Sequence, residues 1–125
     1  MNERAALKRQ YKENPPPAGI YRITNKANGK ILIGRGVNVQ GKLNGQQAQL
    51  KWGSHRDRAL QEDWNHYGPQ QFAFEILDYL PPARDPQQDL RTDLEELERL
   101  WLAKLRPYGE KGYNSPPPEE KKPAE

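Results

Sequence analysis

Gly19-Ile20-Tyr21-Arg22-Ile23-Thr24 and Lys30-Ile31-Leu32-Ile33-Gly34-Arg35 are two short runs rich in Ile and Tyr, separated by Asn25-Lys26-Ala27-Asn28-Gly29. β-Branched and aromatic residues fit a pleated, half-buried surface, and an Asn-Gly step accepts the positive φ of a tight reversal, so the stretch reads as a β-hairpin. Pairing about Ala27 places Tyr21 opposite Leu32, to within one residue. The register matters because a one-residue slip sends every side chain to the other face.

Downstream, the stretch from Val37 to Leu50 is polar and contains Gly41 and Gly45, which predicts only a broken or partial helix. Ser54 with Asp57 three residues on resembles a capping box in its acidic variant, opening a helix to about Tyr67 with Leu60, Trp64 and Tyr67 on one stripe. Gly68-Pro69 ends it. Phe72 to Tyr79 alternates, with Phe72, Phe74 and Ile76 on one face, as in a half-buried strand. A proline-rich loop from Pro81 to Pro86 follows. Leu90, Leu94, Leu97, Trp101 and Leu105 then recur at three- and four-residue steps, the strongest helical pattern in the chain, closed by Pro107. The predicted order is β-β-α-α-β-α.

Outside these elements, residues 2–13 read as a short charged helix stopped by Pro15-Pro16-Pro17, and residues 116–125 as a disordered tail. That leaves residues 18–115 as one domain, and 125 residues hold one core rather than two. No run of about 18 apolar residues and no secretory leader is present, so the expected setting is soluble, intracellular and cytoplasmic, with no membrane partner. The absence of cysteine excludes disulfides, iron–sulfur clusters and thiolate zinc, and two histidines, His55 and His66, are too few for a histidine-rich metal site.

The net charge of +3 says little about partners, but its distribution says more. From Ala18 to Gly68 eight Lys/Arg face three acids, a balance of +5, whereas Pro69 to Ser115 carries −3. Such asymmetry places positive potential on one side of a small fold, which suits phosphate and equally describes a solvated basic face.

Glu98 falls within the stripe of Leu94, Trp101 and Leu105, so its carboxylate needs a cation, either a metal ion or a basic side chain. Tyr21 in a strand is ordinarily packing, with its hydroxyl finding a partner at the rim. His55, expected in the first turn of a helix, would have its pKa depressed by the local dipole and present a neutral imidazole to a hydroxyl; a solvent-facing cap neighbour is the plainer reading. Arg56 and Arg58 beside that helix start suit phosphate oxygens.

Gly19-Ile20-Tyr21 taken with Leu32-Ile33-Gly34 across the hairpin resembles the GIY-YIG nuclease superfamily, in the manner of a small single-domain member. The similarity runs on through Gly53-Ser54-His55-Arg56, the junction from Trp64 to Phe72, Glu98 with Trp101, and Gly112-Tyr113-Asn114, covering about residues 18–115. The resemblance implies an α/β (α+β) domain with a three-stranded antiparallel sheet flanked by helices, hydrolysing DNA phosphodiesters with one divalent metal, Mg²⁺ (or Mn²⁺), and no small-molecule cofactor. Tyr21 matches the motif tyrosine that activates water, alone or assisted by a histidine. Glu98 matches the metal-holding carboxylate, His55 the histidine near the nucleophile, and Asn114 the asparagine that steadies the site. Arg35, Lys51, Arg56 and Arg58 are the candidates for DNA phosphates.

Two positions depart from the family pattern. Leu32 replaces the second motif tyrosine and has no hydroxyl, and Lys42 stands where the family places an arginine, supplying charge without a bidentate fork. Three functions stay open: an endonuclease, a catalytically impaired DNA-binding module, and a protein-interaction domain. The oligomeric state is also open, since no long apolar heptad marks a dimer stripe.

Overall fold

A computed structural model of the chain describes residues 16–85 and 87–117. The helix expected over residues 2–13 and the tail beyond residue 117 lie outside the described residues. The elements are β1 (Gly19–Asn25), β2 (Ile31–Gly36), α1 (Val39–Trp52), α2 (Arg58–Tyr67), a 3₁₀ turn at Pro69–Gln71, β3 (Phe72–Tyr79), α3 (Leu90–Leu105) and a 3₁₀ turn at Gly109–Lys111. The order is β-β-α-α-β-α, as the periodicities predict. The strands form one antiparallel sheet in the order β2-β1-β3, so β1 is central and β2 is an edge.

The hairpin differs from its expected register by two residues. Tyr21 pairs with Gly34, and Leu32 with Ile23. The reversal is a four-residue loop, Lys26 to Gly29, closed by Asn25 N–H to Lys30 O at 2.8 Å and Gly29 N–H to Asn25 O at 2.7 Å. Gly29 takes the left-handed φ of 82° that the loop requires. Because the shift is even, Tyr21 and Leu32 stay on the expected common face.

Two helix boundaries are also corrected. Residues 39–52 form one continuous helix in which Val39, Leu43, Gln46 and Leu50 are buried. That stripe packs on the sheet and outweighs the weak propensity of its polar and glycine positions. The helix after it begins at Arg58, three residues later than the Ser54 reading requires. Asp57 is its N-cap, its Oδ1 accepting from Leu60 N–H at 3.0 Å, while Ser54 N–H donates back to Gln49 O at the end of α1. Leu60 and Trp64 are buried as expected, with Gln61 as the third buried residue; Tyr67 is exposed.

The sheet separates two apolar layers. Tyr21, Ile23 and Phe72 pack with Val39, Leu43 and Leu50 of α1 and Leu60 and Trp64 of α2, joined by Leu32, Phe74 and Ile76. On the opposite face Ala18, Ile20 and Ile33 meet Leu94, with Leu97, Trp101 and Leu105 of α3 beside them. Fully burying an Ile or Leu contributes about 1.5–3 kcal/mol, so these two layers carry the fold. The chain beyond α3 returns along the free edge of β2, where Tyr113 N–H donates to Ile31 O at 2.9 Å.

Gly34 is sterically required. A Cβ there would overlap the ring and hydroxyl of Tyr21, which lie across it. Gly34→Ala is expected to lower stability by about 1–3 kcal/mol, the usual penalty for overpacking, as measured by urea denaturation. Gly45→Ala, at a helix position with open space around its Cα, is expected to raise stability by about 0.5–1 kcal/mol in the same assay.

Candidate active site

Tyr21 is 5% exposed, held by the α1/α2 layer on one side of the sheet. Its partner Gly34 has no side chain, so the phenol extends across the edge strand. Glu98 approaches from the other side, on α3. Burial, and secondarily the negative charge of Glu98, push the Tyr21 hydroxyl up to about 12. The tyrosine is therefore protonated at neutral pH, and burial, the larger cause, opposes formation of a tyrosinate whatever partner Glu98 takes.

Glu98 has a cationic partner. Its Oε1 accepts from Arg35 Nη1 at 2.6 Å, and the same guanidinium lies 3.7 Å from Glu95. Arg35 projects from the α3 face of β2 with Ile31 and Ile33, following the strand's alternation. Glu98 and Arg35 line a cleft of about 390 Å³ with Glu95, Arg99, Arg106 and Tyr108. A larger cavity of about 750 Å³, lined by Pro16, Val37, Tyr79, Leu80 and Leu90, contains none of the candidate residues.

His55 sits in the linker between α1 and α2, not in a first helical turn. Its Nδ1 accepts from Asp57 N–H at 3.0 Å, which leaves the proton on Nε2, 2.5 Å from Gln46 Oε1 on α1. Its pKa is lowered chiefly by burial; Asp57 opposes this, while Arg56 and Lys42 reinforce it. The helix dipole invoked from the sequence is not the main cause. Both ring nitrogens are engaged, so His55 is a fixed neutral donor in this arrangement. Lys42 is exposed on the first turns of α1, its stem against Gly36, where a Cβ would come 2.8 Å from Lys42 Cβ.

Asn114 bonds to the backbone of the edge strand. Its Oδ1 accepts from Ile33 N–H and its Nδ2 donates to Ile33 O, both at 2.8 Å. The side-chain amide thus completes the open edge of β2 immediately before Gly34. Leu32 packs against the α1/α2 layer, so the second motif position contributes contact and no hydroxyl. Lys51, Arg56 and Arg58 are exposed and form no ion pair among the described residues.

Sequence reasoning missed Gln46, whose role appears only once α1 is a complete helix facing the linker. It also missed a polar cluster in which Tyr113 Oη donates to Asp63 Oδ2 at 2.6 Å and accepts from Asn25 Nδ2 at 3.1 Å. Burial and Asp63 drive the Tyr113 pKa upward. Asn25, fully buried, was visible in the sequence only as part of a turn.

The chain superposes on the catalytic domain of the homing endonuclease I-TevI with a TM-score of 0.62 and 27% identity, over 78% of this chain and 96% of that one. A mutant of the catalytic domain of intron endonuclease I-TevI gives a TM-score of 0.63 and 26% identity, over 78% and 92%. The fold is that of a GIY-YIG catalytic domain. No protein-family model and no curated protein sequence matches the chain.

Within this GIY-YIG fold the described residues contain no cluster of three or more His, Asp or Glu able to cage a metal. Glu98, its side chain 18% exposed, fits the alternative donor set. A hard cation such as Mg²⁺ keeps several waters and takes one or two carboxylates with phosphate oxygens.

Asn114→Ala removes both partners of the Ile33 peptide groups and is expected to cost about 1–3 kcal/mol in urea denaturation. A second expectation concerns alkaline pH. The folded Tyr21 pKa lies above its ordinary value of 10.0, so its contribution to stability is complete below 10 and is lost as pH rises through about 12. In an alkaline titration followed by circular dichroism, Tyr21→Phe should therefore show a shallower loss than wild type over that interval.

Proposed function

We propose that this chain is a metal-dependent DNA endonuclease that hydrolyses phosphodiester bonds, with residues 18–115 as its working unit and a soluble, intracellular location. The observation that supports the reading is a buried Tyr21 phenol laid across Gly34 of β2, with Glu98 on the helix packed against the other face of the sheet, in a fold shared with homing endonuclease catalytic domains.

Glu98 is the residue that would hold Mg²⁺ or Mn²⁺, and such an ion, when bound, supplies positive charge to the scissile phosphate and to the departing 3′ oxygen. Tyr21 orients the attacking water through its hydroxyl, and its burial opposes a role as proton acceptor. Lys42 offers an ammonium to a phosphate oxygen. His55 fixes Gln46, and through it the α1 wall beside Lys42, while Asn114 holds the Ile33-Gly34 peptide beneath the phenol. Arg35 keeps the Glu98 carboxylate in place and shares its cleft. Lys51, Arg56 and Arg58 supply the electrostatic attraction to the DNA backbone.

A second reading, a DNA-binding module with impaired catalysis, is favoured by two observations: Leu32 has no hydroxyl, and Arg35 already neutralises Glu98.

Incubation of supercoiled and branched DNA with purified protein and Mg²⁺ or Mn²⁺ tests both. Nicking that stops with EDTA and falls at least about 100-fold in Glu98→Ala is the expected result, on the scale of removing a transition-state charge partner. Salt-dependent binding without cleavage in either metal would instead establish the binding module.

A further inference from the structure

Among the described residues Trp52 is the most exposed of the large apolar side chains, at 80%. It is the last residue of α1, and its indole makes no ring or cation–π contact among the described residues. The backbone beneath it is firmly held. Gly53 takes a left-handed φ of 78° and its N–H donates to Leu50 O at 3.2 Å, while Ser54 N–H donates to Gln49 O at 2.9 Å. An indole on a fixed helix end, largely open to solvent, contributes little to packing.

Its neighbours in the sequence are cationic. Lys51 precedes it, and Arg56 and Arg58 follow, all exposed and without ion pairs among the described residues. Asp57 is the sole acid between Lys51 and Arg58, and its carboxylate is committed to capping α2. The helix that ends at Trp52 also carries Lys42 and the Gln46 partner of His55, so one rigid element joins this surface to the candidate active site.

We infer that Trp52 is a stacking platform for an unpaired nucleobase, and that Lys51, Arg56 and Arg58 hold the phosphates flanking that base. The inference rests on the DNA reading above and adds a substrate class to it. Every base has a π-face that can stack on an indole, but in an intact duplex those faces are covered by neighbouring pairs. Away from duplex ends, only nucleotides outside the helix, in an overhang, a flap, a gap or a branch point, present one. The cations alone would bind any duplex, so it is the idle indole that selects DNA with unpaired nucleotides.

The test uses the full chain in EDTA, so that the DNA stays intact, and two DNAs with equal phosphate counts: a blunt duplex, and a duplex with a single-stranded overhang containing 2-aminopurine. Wild type is expected to quench the 2-aminopurine and to bind the overhang DNA about 10-fold more tightly than the blunt duplex, on the scale of one base–aromatic stack. Trp52→Ala should abolish both the quenching and the preference while leaving blunt-duplex affinity and the thermal melt unchanged. Trp52→Phe should restore part of each. Lys51→Ala should weaken both DNAs alike and reduce the salt slope by about 1.

The platform is overturned if wild type binds both DNAs equally, or if Trp52→Ala retains the quenching and the preference. Failure of wild type to bind either DNA at low salt would overturn the DNA reading itself, and the platform with it.

Discussion

The fold and the geometry of the candidate site both depend on the packing of the Tyr21 ring across Gly34. β2 is an edge strand, so a side chain at position 34 would stand between the phenol and the far side of the sheet. Glycine leaves that space to the tyrosine of the neighbouring strand. A residue rooted in the α1/α2 layer thereby comes under the influence of a carboxylate on α3, across a sheet that otherwise separates the two layers.

An edge strand is a weak place for a site, since its outer N–H and C=O groups are open to water or to another chain. Here the chain's own C-terminal segment closes it. Gly112 bridges to Ile31, Tyr113 donates to Ile31 O, and the Asn114 amide takes both peptide groups of Ile33. Asp63 of α2 and Asn25 of β1 anchor the Tyr113 hydroxyl. The same contacts that protect the edge hold the strand rigid beneath the phenol, so stability and site geometry come from one set of hydrogen bonds.

Electrostatics divide the surface. The charge of Glu98 is met by Arg35 within a partly shielded cleft, where an ion pair is screened less than at the open surface. Lys42, Lys51, Arg56 and Arg58 sit on and just beyond α1 and have no carboxylate partners among the described residues.

The sequence by itself determined the element types and their order. Period-2 alternation at Phe72 to Ile76 and period-3.6 spacing from Leu90 to Leu105 each bury one face, and burial is the dominant favourable term in folding. It also determined that Glu98 must meet a cation, since its helical position follows from spacing alone. Tertiary structure decided what depends on contacts distant in sequence. It made a full helix of the polar stretch 39–52 by giving four residues a surface to bury, and set the hairpin register through a four-residue loop. It moved His55 off a helix and gave both of its nitrogens partners, and it chose Arg35 from among the basic residues to meet Glu98. Local propensity reaches only a few residues along the chain, whereas Gln46 lies nine residues from His55 and Arg35 sixty-three from Glu98, and these pairs meet only when the helices have packed on the sheet.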